Sequence, residues 1–208
     1  MMRRLTMCVS AILASGVCLA AATAFAQSVT GAADPNAPRP AAVRLSLDGT
    51  TIAIEGPLVA PVAAEVAALL GAYPGIERLR LFSSGGQLTE ALDLVALVDA
   101  ASLDTSADRL CLSACTLVFA AGSERRIEAC ARLGLHRFGP PPGTRMTAAL
   151  SFASEWANQH AIEELVSRGI ASDFAYRAYT IPNDAMWYPG DAELFASGLA
   201  TAVEPCYR

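Results

Sequence analysis

One serine and one histidine in this chain have the residue types and positions that nucleophilic catalysis requires. Ser113 lies in the segment Cys-Leu-Ser-Ala-Cys, which opens an apolar run, and His136 ends another apolar run 23 residues later. A hydroxyl in the first turn of a helix lies at the positive end of the helix dipole, and a neighbouring base can activate it. The sequence therefore predicts Ser113 as a nucleophile, with an ordinary helix N-cap as the alternative.

The choice of base for this serine is narrow. The chain contains no lysine, which excludes a serine–lysine pair, and it contains two histidines. His160 stands in a polar helical stretch, where a solvated helix face is the simplest interpretation. His136 ends a predicted strand, and the carboxyl ends of parallel strands meet at one edge of a sheet. We therefore predict that His136 is the general base.

A glycine pair supplies a third chemical element. Gly85 and Gly86 follow two serines at the end of an apolar run. Negative charge that develops on an attacked carbonyl oxygen must be met by fixed donors, and a loop without side chains brings backbone N–H groups close enough. The pair predicts an oxyanion loop, and a plain strand-to-helix turn is the alternative.

The elements around these segments alternate between strand and helix. Strands are predicted at 44–46, 51–54, 76–82, 103–105, 126–129, 133–136 and 199–203, and helices at 58–70, 87–101, 113–121, 144–180 and 190–197. Alternation at this spacing requires crossover connections between neighbouring strands. The fold class is therefore α/β with a largely parallel sheet, followed by a mainly helical region.

The amino terminus predicts export. Two arginines precede an apolar stretch at 5–22, and Ala24 and Ala26 form a cleavage pattern. We predict a signal peptide at 1–26, with a membrane anchor as the alternative. A flexible leader at 27–42, rich in proline and alanine, then precedes one domain at 43–208. Cleavage leaves 208 − 26 = 182 residues, which is enough for a single core.

Charge and cysteine content limit the possible partners. Cleavage removes two arginines and changes the formal net charge from −5 to −7, and an acidic chain without a basic cluster argues against nucleic acid. Four cysteines remain in the mature chain: Cys111, Cys115, Cys130 and Cys206. An even number in an exported protein predicts two disulfides, which can pair in three ways. The cysteine spacings do not match a zinc site, so no metal is expected.

Together the three segments resemble the ClpP and crotonase superfamily, and more closely its exported ClpP-like bacterial members. In ClpP peptidases a Ser-Pro-Gly-Gly loop holds the oxyanion, and an Ala-Gly pair closes the helix that carries the nucleophile. Here Ser83-Ser84-Gly85-Gly86, Leu112-Ser113-Ala114 and Ala121-Gly122 occur in the same order. The resemblance covers about residue 42 to the carboxyl terminus. It implies a ClpP/crotonase-like spiral of mostly parallel strands with a helical arm.

The resemblance also assigns roles to residues. It implies Ser113 as the nucleophile, His136 as the general base, and an oxyanion hole formed by the N–H groups of Gly85 and Ala114. The family's acid precedes the closing turn, where Asp184 is the nearest match, and Asp173 and Asp191 are the alternatives. Ser84 replaces the family proline, so the oxyanion loop is expected to be less fixed before binding.

The cysteines on both sides of Ser113 distinguish this chain from cytosolic ClpP. A bridge from Cys111 to Cys115 would clamp the segment that carries the nucleophile. Cys130 and Cys206 would then tie the last residues to the sheet. A bridge from Cys111 to Cys130 is the alternative pairing.

The implied function is that of an exported, ATP-independent serine hydrolase, a peptidase acting on short or unfolded polypeptides in the periplasm or outside the cell. The alternatives are a non-catalytic ClpP-like module that binds peptides or a partner, and a crotonase-type enzyme that uses coenzyme A. For the hydrolase we expect no cofactor, no nucleic acid and no membrane insertion after signal cleavage. Homo-oligomers are expected to form through the helical arm, with intrachain core as the alternative role of its apolar residues. These residues are Met146, Leu150, Phe152 and Trp156.

Overall fold

The computed structural model describes residues 38–140 and 143–206. The signal peptide predicted at 1–26, and the predicted leader as far as residue 37, lie outside the described residues. The first strand begins at Ala42. Among the described residues no helix is long and apolar enough to cross a membrane.

The secondary structure alternates between strand and helix, in agreement with the sequence pattern. The strands are β1 (Ala42–Leu45), β2 (Thr51–Glu55), β3 (Arg78–Ser83), β4 (Asp104–Leu112), β5 (Arg125–Glu128), β6 (Arg132–Gly134) and β7 (Ala202–Glu204). The helices are α1 (Val62–Ala72), α2 (Leu88–Ala101), α3 (Ala114–Ala120), α4 (Ala148–Ser167), α5 (Ser172–Ala178) and α6 (Asp191–Ala196).

All seven strands belong to one sheet. Its order is β1-β2-β3-β4-β5-β7, and β6 pairs with β4 outside this path. Among the described residues, β1 and β2 form an antiparallel hairpin, which a short turn can join. The other strand pairs are parallel, and parallel neighbours need crossover connections. The fold is therefore a mixed α/β fold with a mostly parallel sheet.

The strand β4 corrects one detail of the sequence analysis. The apolar pattern predicts a short strand at 103–105, but the observed strand continues to Leu112. Its irregularity lies at Arg109, whose φ is +47°, and the register to β3 shifts between Leu81 and Ser83. This irregularity lets the first half of β4 pair with β5 and the second half with β6. The pattern fails here because a bulged strand interrupts the apolar alternation that marks a continuous one.

The core lies between one face of the sheet and the helices α1, α2 and α3. Alternate strand residues such as Ile52, Ile54, Leu79 and Leu81 are fully buried, as expected for side chains that point to a covered face. The helix α3 is buried along its whole length. Removal of this apolar surface from water stabilises the fold and holds α3 firmly behind the sheet edge.

The helical arm is formed by α4, α5 and α6. Arg168, directly after α4, donates to both carboxylate oxygens of Asp99 at 2.9 and 2.8 Å, which ties the arm to α2. The four apolar arm residues named above are exposed, with Phe152 at 75 %. The alternative prediction, that these four residues form part of the intrachain core, is therefore wrong.

The four cysteines form the two pairs expected from the sequence. Cys111 and Cys115 lie with their Cα atoms 5.4 Å apart, and Cys130 and Cys206 lie 5.7 Å apart. Both distances are typical of disulfides. The first pair closes a loop of four residues beside Ser113, and the second links chain positions that are 76 residues apart.

We predict that the longer disulfide governs global stability. In the chain-entropy account, a bridge between residues 76 apart stabilises the folded state by about 4 to 5 kcal/mol, and a bridge between residues four apart by about 2 kcal/mol. Thermal melting of Cys130→Ala/Cys206→Ala should therefore show the larger fall in melting temperature. Cys111→Ala/Cys115→Ala is the matched control, and an equal or larger fall in that control would contradict the prediction.

Candidate active site

Ser113 occupies a sharp turn between β4 and α3. Its backbone has φ +54° and ψ −126°, which is rare for a residue with a side chain. The Ser113 N–H donates to Gly134 O at 2.8 Å, and the Thr116 hydroxyl donates to Ser113 O at 2.7 Å. The Ser113 side chain does not cap α3, so the alternative of an ordinary N-cap is not observed. The hydroxyl is instead turned away from the helix and is free to contact another group.

Gly85 packs directly against this turn. It has φ +91°, and a Cβ atom at this position would lie 2.6 Å from Leu112 O and 2.8 Å from Ser113 Cβ. Both distances are too short for real contacts, so only glycine allows the loop after β3 to approach Ser113 this closely. The Gly85 carbonyl accepts from the Leu58 N–H at 2.8 Å, which fixes the loop from its other side.

His136 meets Ser113 at hydrogen-bond distance. Its Nε2 lies 2.7 Å from Ser113 Oγ, and its Nδ1 lies 3.1 Å from the carbonyl oxygen of Asn183. A carbonyl oxygen only accepts, so Nδ1 carries the hydrogen and Nε2 is left to accept the Ser113 hydroxyl. This is the tautomer that a general base requires.

Burial tunes the basicity of this imidazole. Desolvation lowers the pKa of His136 below its ordinary value of 6.5, and the hydrogen bond to the Asn183 carbonyl raises the pKa in part. Because desolvation is the larger effect, the neutral ring is favoured at pH 7. A neutral imidazole is able to take a proton from serine.

None of the three aspartates considered for the acid makes a hydrogen bond or an ion pair with His136 in the described part of the chain. Asp184 is exposed and directly follows Asn183. Asp173 accepts from the Phe174 N–H at 2.9 Å, and Asp191 is the first residue of α6. The Asn183 carbonyl lies where an acid would be expected. The sequence analysis missed it because a backbone acceptor has no residue-type signature.

The two predicted oxyanion donors differ in their surroundings. The Ala114 N–H begins α3 and has no partner among the residues that the structure describes. The Gly85 N–H donates to Ser83 Oγ at 3.1 Å. An incoming oxyanion would therefore find the Ala114 donor free and would compete with the Ser83 hydroxyl for Gly85.

The comparisons with known proteins concern the fold. The sequence matches no protein-family model, and no curated protein matches it. Among solved structures it is similar to a mutant of ClpP1 from Listeria monocytogenes, with a TM-score of 0.64 over 76 % of this chain and 92 % of that chain. The chain has a ClpP-like fold. The identity is 12 %, so the likeness shows the fold alone, and the chemistry of the site has to be argued from its own residues.

Within residues 38–140 and 143–206 no cluster of three or more histidine, cysteine or acidic side chains could hold a metal ion. Cys111 and Cys115, on either side of Ser113, are fully buried and paired with each other. The arrangement can therefore activate a hydroxyl with a neutral imidazole and place at least one free N–H group nearby.

We predict that Gly85→Ala disrupts the contact between Ser113 and His136. The added Cβ must displace Leu112 or Ser113, and we expect a loss of about 2 to 5 kcal/mol in the free energy of unfolding from strain and overpacking together. Urea unfolding measures this loss. Gly49→Ala is the matched control, since Gly49 also has a positive φ but a Cβ added there would meet nothing within 4 Å. Equal losses in the two variants would mean that the loop after β3 does not support Ser113.

We also predict that His136 titrates below pH 6.5. The partly buried ring resists protonation, so the midpoint at which neutral His136 gains its proton should lie below that value. Proton NMR of the imidazole C–H signals measures the midpoint, with His160→Gln identifying the second histidine. A midpoint above 6.5 would indicate an anionic partner at the ring and would contradict this site description.

Proposed function

We propose that this ClpP-like protein is an exported serine hydrolase that cleaves short or unfolded polypeptides without ATP. The single observation that carries the proposal is the 2.7 Å contact between Ser113 Oγ and His136 Nε2, made in the tautomer that accepts the serine proton. A satisfied structural histidine would not require the serine to adopt a strained positive φ. Strain at a candidate nucleophile supports a catalytic role for the pair.

The proposed reaction has two steps. In the first, Ser113 Oγ attacks the substrate carbonyl carbon while His136 Nε2 takes the serine proton. The oxyanion accepts from the Ala114 N–H, and from the Gly85 N–H once it leaves Ser83. The amide C–N bond then breaks, and His136 passes its proton to the leaving amine. In the second step water gives a proton to His136 and attacks the acyl ester. The ester C–O bond then breaks, the new carboxyl terminus leaves, and His136 returns the proton to Ser113 Oγ.

The proposal also includes the location of the protein and the association of its copies. The two cysteine pairs at disulfide distance are consistent with an oxidising compartment, and we place the protein in the periplasm or outside the cell. ATP is absent there, so the substrate must already be short or unfolded. We further propose that copies of the chain associate through the exposed apolar residues of the arm.

A peptide-binding module without catalysis is the second candidate function. Two observations favour it: the Gly85 N–H is bonded to Ser83, and no carboxylate contacts His136 in the described residues. Both would weaken an enzyme without harming a groove that binds extended peptides. A reactive probe distinguishes the two functions because binding alone forms no covalent bond.

We predict that a fluorophosphonate probe labels the folded protein at Ser113. The label should disappear in Ser113→Ala and persist in Ser151→Ala, an exposed serine of α4 that serves as the matched control. Against a mixture of unfolded polypeptides, Ser113→Ala, His136→Ala and the double variant should each lose about 10⁴-fold in kcat, because residues that act as one unit are not additive. Losses that multiply, or a folded wild type that stays unlabelled, would favour the binding module.

A further inference from the structure

A buried asparagine of the arm holds the chain next to His136. Asn158 on α4 is 4 % exposed. Its Oδ1 accepts from the Phe138 N–H at 2.6 Å, and its Nδ2 donates to Phe138 O at 3.0 Å and to Ser154 O at 2.7 Å. One amide thus binds both backbone groups of a residue that lies two positions after His136. A buried amide with every group satisfied is a rigid attachment.

A second asparagine supplies the carbonyl that contacts the imidazole. The Asn183 side chain donates to Pro140 O at 2.7 Å, while its main-chain oxygen accepts from His136 Nδ1 at 3.1 Å. The same residue therefore holds the chain after His136 and orients the ring. A Cβ at Gly139 would lie 2.9 Å from the Asn183 amide nitrogen, which shows how closely the two segments approach.

The backbone on both sides of His136 is tied to the segment that contains Asn183. Leu135 and Trp187 exchange both backbone hydrogen bonds, at 2.9 and 3.0 Å, and the Arg137 N–H donates to Ile181 O at 2.9 Å. With its neighbours held, the ring retains few orientations. The Asn183 oxygen then selects the one in which Nε2 faces Ser113.

A serine–histidine pair needs a group that fixes both the ring orientation and the tautomer. In the familiar triads a carboxylate does this. We propose that in this chain the main-chain carbonyl of Asn183 fixes the orientation and the tautomer of the His136 ring. Asn158 is a positioning residue that holds the segment after His136 against the arm. Asp184, directly after Asn183, is the rival for the same part. The kinetic consequences rest on the proposed hydrolase function, whereas the orientation of His136 does not.

The experiment compares Asp184→Asn, Asn158→Ala and Gln159→Ala. Gln159 is an exposed amide on the same helix, bonded only to Glu163, and is the matched control for Asn158. Asp184→Asn should keep kcat within about twofold. Asn158→Ala should lower kcat by about 10-fold to 100-fold with KM nearly unchanged, by analogy with the loss when hydrogen bonds that support a metal-ligating histidine are removed. Gln159→Ala should change neither constant.

Nitrogen NMR of the two imidazoles gives a readout that does not require activity. Wild type and Asp184→Asn should show His136 as the Nδ1–H tautomer, and Asn158→Ala should show a mixture of tautomers. If Asn158→Ala does not fold, Asn183→Ala tests the same attachment, because it keeps the carbonyl and removes the bond to Pro140. The mixed tautomer is then expected in that variant.

Three results would overturn the proposal. The first is a loss of about 10³-fold or more in Asp184→Asn, as expected for removal of a triad acid. The second is an Nε2–H tautomer in wild type. The third is an unchanged kcat and tautomer in the folded asparagine variants. A wild type that shows the Nδ1–H tautomer but neither hydrolyses polypeptides nor reacts with the probe would instead refute the hydrolase and leave the orienting role supported.

Discussion

The positive φ of Ser113 is the constraint on which the rest of the site depends. A backbone in this region costs of order 1 to 3 kcal/mol and persists only where the surrounding structure enforces it. Here the Ser113 N–H is held by Gly134, its carbonyl is held by Thr116, and a disulfide joins the residues two positions before and after it. Gly85 then fills the space beside the turn at a distance that no other residue could reach. Together these contacts surround the turn in which the Ser113 hydroxyl meets His136 and makes no helix cap.

The irregularity of β4 explains how the histidine reaches this turn. At Arg109 the strand changes neighbours, so that its last residues pair with β6 in the register Leu112 to Gly134. Ser113 lies one residue beyond this pair and His136 lies two residues beyond it. Backbone pairing of β4 with β6 thereby brings together two residues that are 23 positions apart along the chain. The irregular strand β4 thus positions His136, and the disulfide and Gly85 position Ser113.

The sequence was informative wherever a residue type has a local physical meaning. Apolar periodicity predicted most strands and helices close to their observed positions, although the helical region at 144–180 is divided into α4 and α5. Glycine at 85 marked a close backbone approach. Ser113 and His136 were predicted as a pair, and the structure brings them into contact, while their catalytic roles stay predictions. Three features were not predicted. They are the continuation of β4 to Leu112, the hydrogen bond between the Asn183 carbonyl and His136, and the hydrogen bond between Phe138 and Asn158. These features depend on backbone groups and on contacts between residues that are far apart in the sequence. Neither can be recognised from composition or from the spacing of residue types.

The group that is hydrogen-bonded to Nδ1 determines whether His136 is stabilised by charge or only by orientation. A carboxylate would stabilise the imidazolium by its charge, but when buried it would need hydrogen-bond donors of its own. The Asn183 carbonyl avoids that requirement and supplies only a dipole, and desolvation accordingly keeps the pKa of His136 below its ordinary value. With little charge stabilisation available, the ring can contribute to catalysis mainly through its orientation and tautomer. That is the property which the bonds of Leu135, Arg137, Asn158 and Asn183 control. The backbone bonds around this histidine thus orient a ring that, among the described residues, makes no hydrogen bond to an acid.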